Sequence, residues 1–124
     1  HHGPDSAYVR GSAALPLFEA ALKALEPRAP DLLIDLGDRT NDTNPERAAL
    51  ATAAVAERYG RVSMPKVFLH GDDDPTPRGE QEAVFGVPLG NRCLTLGGWQ
   101  LVFRDTFDGS VQGALSADTL GWLE

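Results

Sequence analysis

LLIDLGDRTND, residues 32–42, is the stretch that decides the fold, because its apolar run ends at Gly37 and places Asp38 in a polar loop. KVFLHGDDD, residues 66–74, repeats the design, with three aspartates directly after Gly71. Short apolar runs bounded by turn residues are typical of buried strands. Because functional loops of parallel sheets lie at the carboxyl ends of the strands, we expect both loops at one edge. Carboxylates gathered at one edge repel one another unless a cation lies between them, so the pattern indicates a metal-binding edge.

The rest of the chain predicts helices alternating with strands, followed by a hairpin, which favours an α/β fold with a largely parallel sheet. A helix is expected from Ser12 to the stop at Pro27, and Asn44, as an N-cap before Pro45, predicts a second helix to about Tyr59. The remaining predicted elements are strands at 32–36, 66–69, 92–96 and 100–104, a short helix at 80–85, a turn at Gly97 and Gly98, and a final helix capped by Ser116.

Composition limits the classes of function. The chain has 124 residues, enough for a single domain, and a net charge of −7 without a basic cluster, which argues against nucleic acid or an anionic membrane as partner. No apolar run is long enough to cross a bilayer. The single cysteine, Cys93, excludes an intrachain disulfide and fits a reducing, cytoplasmic setting. We expect Cys93 to be a buried small hydrophobe and Trp99 and Trp122 to be packing residues.

The two strand-Gly-Asp stretches resemble motifs of the calcineurin-like metallophosphoesterases. That family carries, in order, Asp-x-His, Gly-Asp, Gly-Asn-His-Asp/Glu and later histidine motifs, and the resemblance covers most of the chain, including the tail from Trp99. It implies a sandwich of mixed β-sheets flanked by helices, which hydrolyses phosphate esters with two metal ions. Residues 1–124 would then be one metallophosphoesterase-like domain, incomplete at both ends and a segment of a longer one.

The resemblance assigns roles to four residues. His1 matches the histidine of the first motif, Asp38 the metal-bridging carboxylate, and Asp72 the metal-binding asparagine, so these three are the expected metal ligands. Asp73 stands at the position of the family's catalytic histidine and departs from it by bringing a negative charge to the leaving group. The first-motif aspartate and the later histidines have no counterpart in the chain. We therefore expect weak or no turnover from the chain alone.

The predicted ligands and partners follow from this set. Carboxylate oxygens suit hard cations, so Mn²⁺ or Mg²⁺ is expected rather than tightly bound Zn²⁺. The expected partner is a small-molecule phosphate ester, and a homo-oligomer is compatible with the sequence.

Other interpretations stay open. A degenerate metallophosphoesterase-like domain could serve as a non-catalytic scaffold or oligomerisation module. A haloacid-dehalogenase-type phosphatase would use Asp72 as nucleophile and Asp74 as acid, but it needs a later lysine, and the chain has only Lys23 and Lys66. The run 72–74 could also be a solvated acidic loop, and His1 the remnant of a purification tag.

Three residues beside the motifs have plainer expected roles. Asn41 and Asp42 should shape the turn before the second helix. His70 either faces the site or is a core or edge histidine.

Overall fold

The computed structural model of the chain describes residues 2–5, 10–106, 114 and 117–121. These residues form a mixed α/β structure with one parallel and one antiparallel pair of strands. The helices are α1 (Gly11–Leu25), α2 (Pro45–Gly60), α3 (Arg78–Phe85) and α4 (Ala117–Gly121), and a 3-10 turn, Glu26–Arg28, follows α1. The strands are β1 (Leu33–Asp35), β2 (Lys66–Phe68), β3 (Arg92–Leu96) and β4 (Trp99–Phe103).

The parallel pair positions the candidate site. Strands β1 and β2 pair in parallel with Ile34 opposite Val67, as the alternation of helices and strands predicts. Since the two strands run in the same direction, both Gly-Asp loops leave from one edge. His2 lies beside the first of these loops, where it forms a parallel bridge with Thr40 and donates its backbone N–H to the Arg39 carbonyl at 2.6 Å.

The antiparallel pair is the predicted hairpin. Leu94 lies opposite Leu101, and the turn is made by Gly97 and Gly98, whose φ angles of 56° and 83° are easily adopted only by glycine. Strand β4 begins at Trp99, one residue earlier than expected. The sandwich of mixed sheets stays a prediction, because the described residues form two separate two-stranded sheets.

The helix boundaries follow local capping chemistry. The Asn44 side chain accepts a hydrogen bond from the Arg47 N–H at 3.0 Å, which confirms the predicted N-cap of α2. Helix α3 begins two residues before its predicted start, since the Pro77 carbonyl already accepts from Gln81. It ends at Phe85 and is followed by Gly86, which has a left-handed φ of 68°. Helix α4 is present as predicted, but its expected cap, Ser116, lies outside the described residues.

The core lies where α1, α2 and α3 pack on β2. Tyr59 is at its centre, with edge-to-face contacts to Phe18 at 4.7 Å and to Phe68 at 4.8 Å between ring centroids. The buried members of this cluster are Leu22, Val55, Tyr59, Val62, Met64, Phe68 and Leu89. Along the described residues, no helix is long and apolar enough to span a membrane.

Two packing predictions are wrong. Cys93 is exposed, because it lies on the open face of the β3–β4 hairpin rather than in the core. Trp99 is 75% exposed beside the hairpin turn, where no described element covers it. The prediction for Trp122 lies outside the described residues.

Candidate functional site

The loops after β1 and β2 touch each other at the edge of the parallel pair. A Cβ atom on Gly37 would overlap the backbone of Gly71, and one on Gly71 would overlap the backbone and carboxylate of Asp38. Both positions therefore require glycine for close approach, and Gly37 also has a φ of 96°. The structure thus brings Asp38 against the acidic loop at one strand edge, which the repeated sequence pattern predicts.

Asp38 is held in an unusual backbone conformation. Its φ of 56° is left-handed, which costs a non-glycine residue about 1 kcal/mol and has to be held by surrounding contacts. The half-buried Asp38 accepts a hydrogen bond at Oδ1 from the Asp73 N–H at 3.2 Å. The carboxylate therefore lies across the mouth of the second loop.

Asp74 turns inward and binds both loops. Its side chain is only 1% exposed. Oδ1 accepts from the N–H groups of Arg39 at 2.7 Å and Thr40 at 3.4 Å, and Oδ2 accepts from those of Asp38 at 3.1 Å and Gly71 at 3.2 Å. A buried carboxylate bonded in this way organises backbone and does not reach a substrate, which disfavours Asp74 as the acid of a haloacid-dehalogenase-type phosphatase.

Arg39 is the cation beside that carboxylate. Its guanidinium, 3% exposed, pairs through Nη1 with Asp74 at 3.2 Å and through Nη2 with Asp35 at 3.0 Å. It also donates to Gln81 Oε1 at 2.8 Å and to the Leu69 carbonyl at 2.7 Å. The motifs in the sequence do not identify this residue; the signal available was a charged pair four residues apart, Asp35 and Arg39, across the end of an apolar strand.

The cluster continues to α2 through Asp35. The Asp35 carboxylate accepts hydrogen bonds from the Tyr59 hydroxyl and from the Gly37 N–H, the latter at 2.8 Å. Burial, and then the neighbouring Asp35 charge, raise the pKa of the Tyr59 hydroxyl above its ordinary value near 10. The first Gly-Asp loop is thereby tied to the core aromatic residue.

The residues predicted to bind metal do not all come together in the structure. Asp72 and Asp73 are exposed on the outer side of their loop, and His1 lies outside the described residues. Within the part of the chain that the structure describes, no group of three or more potential ligand side chains comes together. Asp38 and Asp72 offer the oxygen donors that hard cations prefer, but they are too few for a two-metal centre.

The neighbouring residues with expected structural roles behave as follows. Asp42 accepts two hydrogen bonds from the Arg47 guanidinium, at 2.7 and 2.9 Å, and one from the Asn44 N–H at 2.9 Å. These bonds, the Arg47 contact first, lower the pKa of the Asp42 carboxyl. The predicted turn-forming role of Asp42 is confirmed, and His70 is buried.

A cavity of about 340 Å³ lies behind Gly37, between α1, β1 and α2. Its polar lining residues are His2, Asp35, Arg39 and Tyr59, and the last three are joined through the Asp35 carboxylate. The rest of its wall is mainly apolar, formed by Ala14, Leu15, Phe18, Ile34, Leu36 and Val55. The Arg39 guanidinium in this wall is already paired with Asp35 and Asp74, so the cavity is a poor site for a phosphate group.

Almost the whole chain is similar in sequence to a curated protein. A probable cyclic nucleotide phosphodiesterase of Synechococcus sp. is 26% identical over 119 residues, which are 95% of this chain and 45% of the relative. The chain thus spans a little under half the length of that relative. No family model matches the chain, and no solved structure matches it.

Proposed function

We propose that this chain is part of a phosphodiester hydrolase that acts on a small molecule at the edge carrying Asp38. The observation that carries the proposal is the contact between the two Gly-Asp loops, which sets the Asp38 carboxylate at the carboxyl edge of parallel strands. The likeness to a probable cyclic nucleotide phosphodiesterase across 95% of the chain supports the reaction class.

The chain's own residues determine what this edge can do. The Asp38 carboxylate would supply oxygen ligands to Mn²⁺ or Mg²⁺, with Asp72 as a second donor on the facing loop. Such a cation, when bound, supplies positive charge to the phosphate oxygens. The described residues do not complete a two-metal set, and the exposed Asp72 and Asp73 add negative charge that repels an anionic ester. We therefore propose weak cation binding and slow hydrolysis by the chain alone.

A hydrolysis assay with matched variants tests this proposal. The substrates are an aryl phosphodiester and a cyclic nucleotide, with and without Mn²⁺, and the control is Asp31→Asn at an exposed position before β1. We expect slow, Mn²⁺-dependent turnover that Asp38→Asn abolishes and Asp31→Asn leaves unchanged. Turnover that survives Asp38→Asn would overturn the assignment of Asp38.

The acidic loop has its own test. Changing Asp72→Asn and Asp73→His together removes two negative charges and adds a donor for the leaving oxygen. One preorganised donor is worth about 10²- to 10³-fold in rate, so the double variant should gain activity within that range. If the double change abolishes turnover, the alignment of Gly71–Asp74 with the family motif is wrong.

A non-catalytic scaffold is the second candidate. It is favoured by the scarcity of grouped ligand side chains among the described residues. Absence of both Mn²⁺ binding and turnover, before and after the double change, would select it.

A further inference from the structure

We propose that Arg39 is a positioning residue for Asp38 and acts through the buried carboxylate of Asp74. This inference rests on the proposed function in one respect, namely that Asp38 is the group that needs positioning. Arg39 points away from the site edge, into the protein, and its guanidinium is 3% exposed. It therefore does not contact a substrate bound at the edge.

The backbone of Asp38 has to be held in place by its neighbours. Its φ of 56° is left-handed, a region that aspartate enters more readily than most side chains but still at a cost relative to glycine, so surrounding contacts have to hold it. The Asp38 N–H donates to Asp74 Oδ2, and the same oxygen accepts from the Gly71 N–H of the facing loop. One oxygen atom thus fixes the distance between the two loops.

Asp74 cannot hold this position without a counter-charge. A carboxylate that is 1% exposed has lost nearly all of its hydration, and backbone N–H groups replace only part of it. Arg39 Nη1 lies 3.2 Å from Asp74 Oδ2, the oxygen that binds Asp38 and Gly71. The orientation of that oxygen therefore depends on the guanidinium.

Arg39 is itself fixed from three directions. Asp35 on β1, the Leu69 carbonyl after β2 and Gln81 on α3 each accept from it. Its guanidinium also lies 4.9 Å from the Phe85 ring centroid. Only a planar fork with several donors satisfies these partners together, so lysine keeps the charge but not the geometry.

The test compares Arg39→Lys and Arg39→Met with a matched control, Arg47→Lys. Arg47 also pairs with an aspartate, Asp42, by two hydrogen bonds, but among the described residues it forms no hydrogen bond or ion pair with Asp38 or Asp74. The main readout is amide hydrogen exchange at Asp38 and Gly71, with Val55 and Val67 as core references. Arg39→Lys keeps the test decisive if Arg39→Met does not fold.

We expect exchange at Asp38 and Gly71 to become about tenfold faster or more in Arg39→Lys, because a charge-assisted bond is lost, while the core amides change little. Arg47→Lys should leave all four amides unchanged. In Arg39→Lys, equal acceleration at Val55 and Val67 would show a merely structural role and overturn the proposal, as would no change at Asp38.

Mn²⁺ titration gives the second readout. Loss of a residue that orients a ligand commonly weakens metal affinity by about 10- to 100-fold, and this is the expected effect of Arg39→Lys. Unchanged affinity in a variant with faster exchange would overturn the link to Asp38 as a ligand. If the unmodified chain binds no Mn²⁺, the proposed metal role fails, while the exchange data still decide whether Arg39 positions the loop.

Discussion

Arg39 and Arg47 lie eight residues apart in the sequence, and each pairs with aspartate, but the two arginines have different structural roles. Arg39 is buried between Asp35 and Asp74, with its side chain 3% exposed, whereas the Arg47 side chain that binds Asp42 is 64% exposed. Arg39 reaches partners from β1, from the segment after β2 and from α3. The contacts of Arg47 with Asp42, by contrast, join residues only five positions apart in the sequence.

The difference shows that burial and connectivity, rather than bond length, decide what an ion pair contributes. The contacts of Arg47 with Asp42 are as short as any made by Arg39, yet solvent screens them from the Arg47 side, although the Asp42 side chain is only 8% exposed. The contacts of Arg39 replace water that its partners have lost, so removing it leaves the buried Asp74 carboxylate and the half-buried Asp35 carboxylate without a counter-charge. The buried pair can therefore hold the site loops in place, and the surface pair shapes a turn.

The largest expected effect is the loss of stability in Arg39→Met. Removing one member of a buried ion pair costs about 3–5 kcal/mol, because the partner is left uncompensated. We expect a loss of that size in the free energy of unfolding, measured by urea denaturation. Arg47→Met is the control and should change it only slightly, and equal losses in the two variants would refute the distinction between the pairs.

The next largest effect is expected at Gly71, whose missing side chain lets the loop after β2 lie against Asp38. Gly71→Ala would push a methyl group into Asp38, and overpacking of this kind costs about 1–3 kcal/mol. Gly79→Ala is the control, since its Cβ would meet nothing within 4 Å and alanine in a helix gains about 0.5–1 kcal/mol. Thermal unfolding should shift in opposite directions, and a tolerated Gly71→Ala would mean that the loops do not touch.

Alkaline pH should weaken the buried cluster through Tyr59. Because its pKa is raised in the folded protein, the unfolded chain releases this proton first, from about pH 10 upward. The stabilisation is complete below that pH and declines as the pH rises toward the folded-state pKa. Tyr59→Phe should remove this part of the decline in urea midpoints above pH 10, and parallel curves for the two proteins would contradict the assignment.

The smallest effect is expected at acid pH, from the surface pair. The Asp42 pKa is lowered in the folded protein, so its contribution is present above the ordinary value of about 3.9 and fades as the pH falls through the folded-state pKa. Arg47→Met removes the main cause of the shift. We expect a slightly flatter acid limb in its stability curve, measured by circular dichroism, and a steeper limb would reverse the sign of the argument.

The sequence predicts the elements well wherever local chemistry determines them. The Asn44 cap, the turn at Gly97 and Gly98, and the meeting of the two Gly-Asp loops all follow from local signals and from the parallel pairing rule. The exposure of Cys93 and Trp99 is not predictable in this way, because a hairpin has two faces and the sequence alone does not tell which one is covered.

The inner half of the site is likewise not predictable from the sequence. The sequence does not distinguish three consecutive aspartates, but in the structure the Asp74 side chain is buried while Asp72 and Asp73 are exposed to solvent. That choice depends on the left-handed backbone at Asp38 and on the guanidinium of Arg39, which lies 35 residues away in sequence. Such long-range partners become visible only when the loops are folded against each other.

The most direct test of the central claim, that the Asp38 edge is a weak hard-cation site, is calorimetric titration of the chain and of Asp38→Asn with Mn²⁺ and with Zn²⁺. We predict weak Mn²⁺ binding that Asp38→Asn abolishes, since the donors at this edge are carboxylate oxygens. Tight, Zn²⁺-selective binding that survives Asp38→Asn would contradict the account.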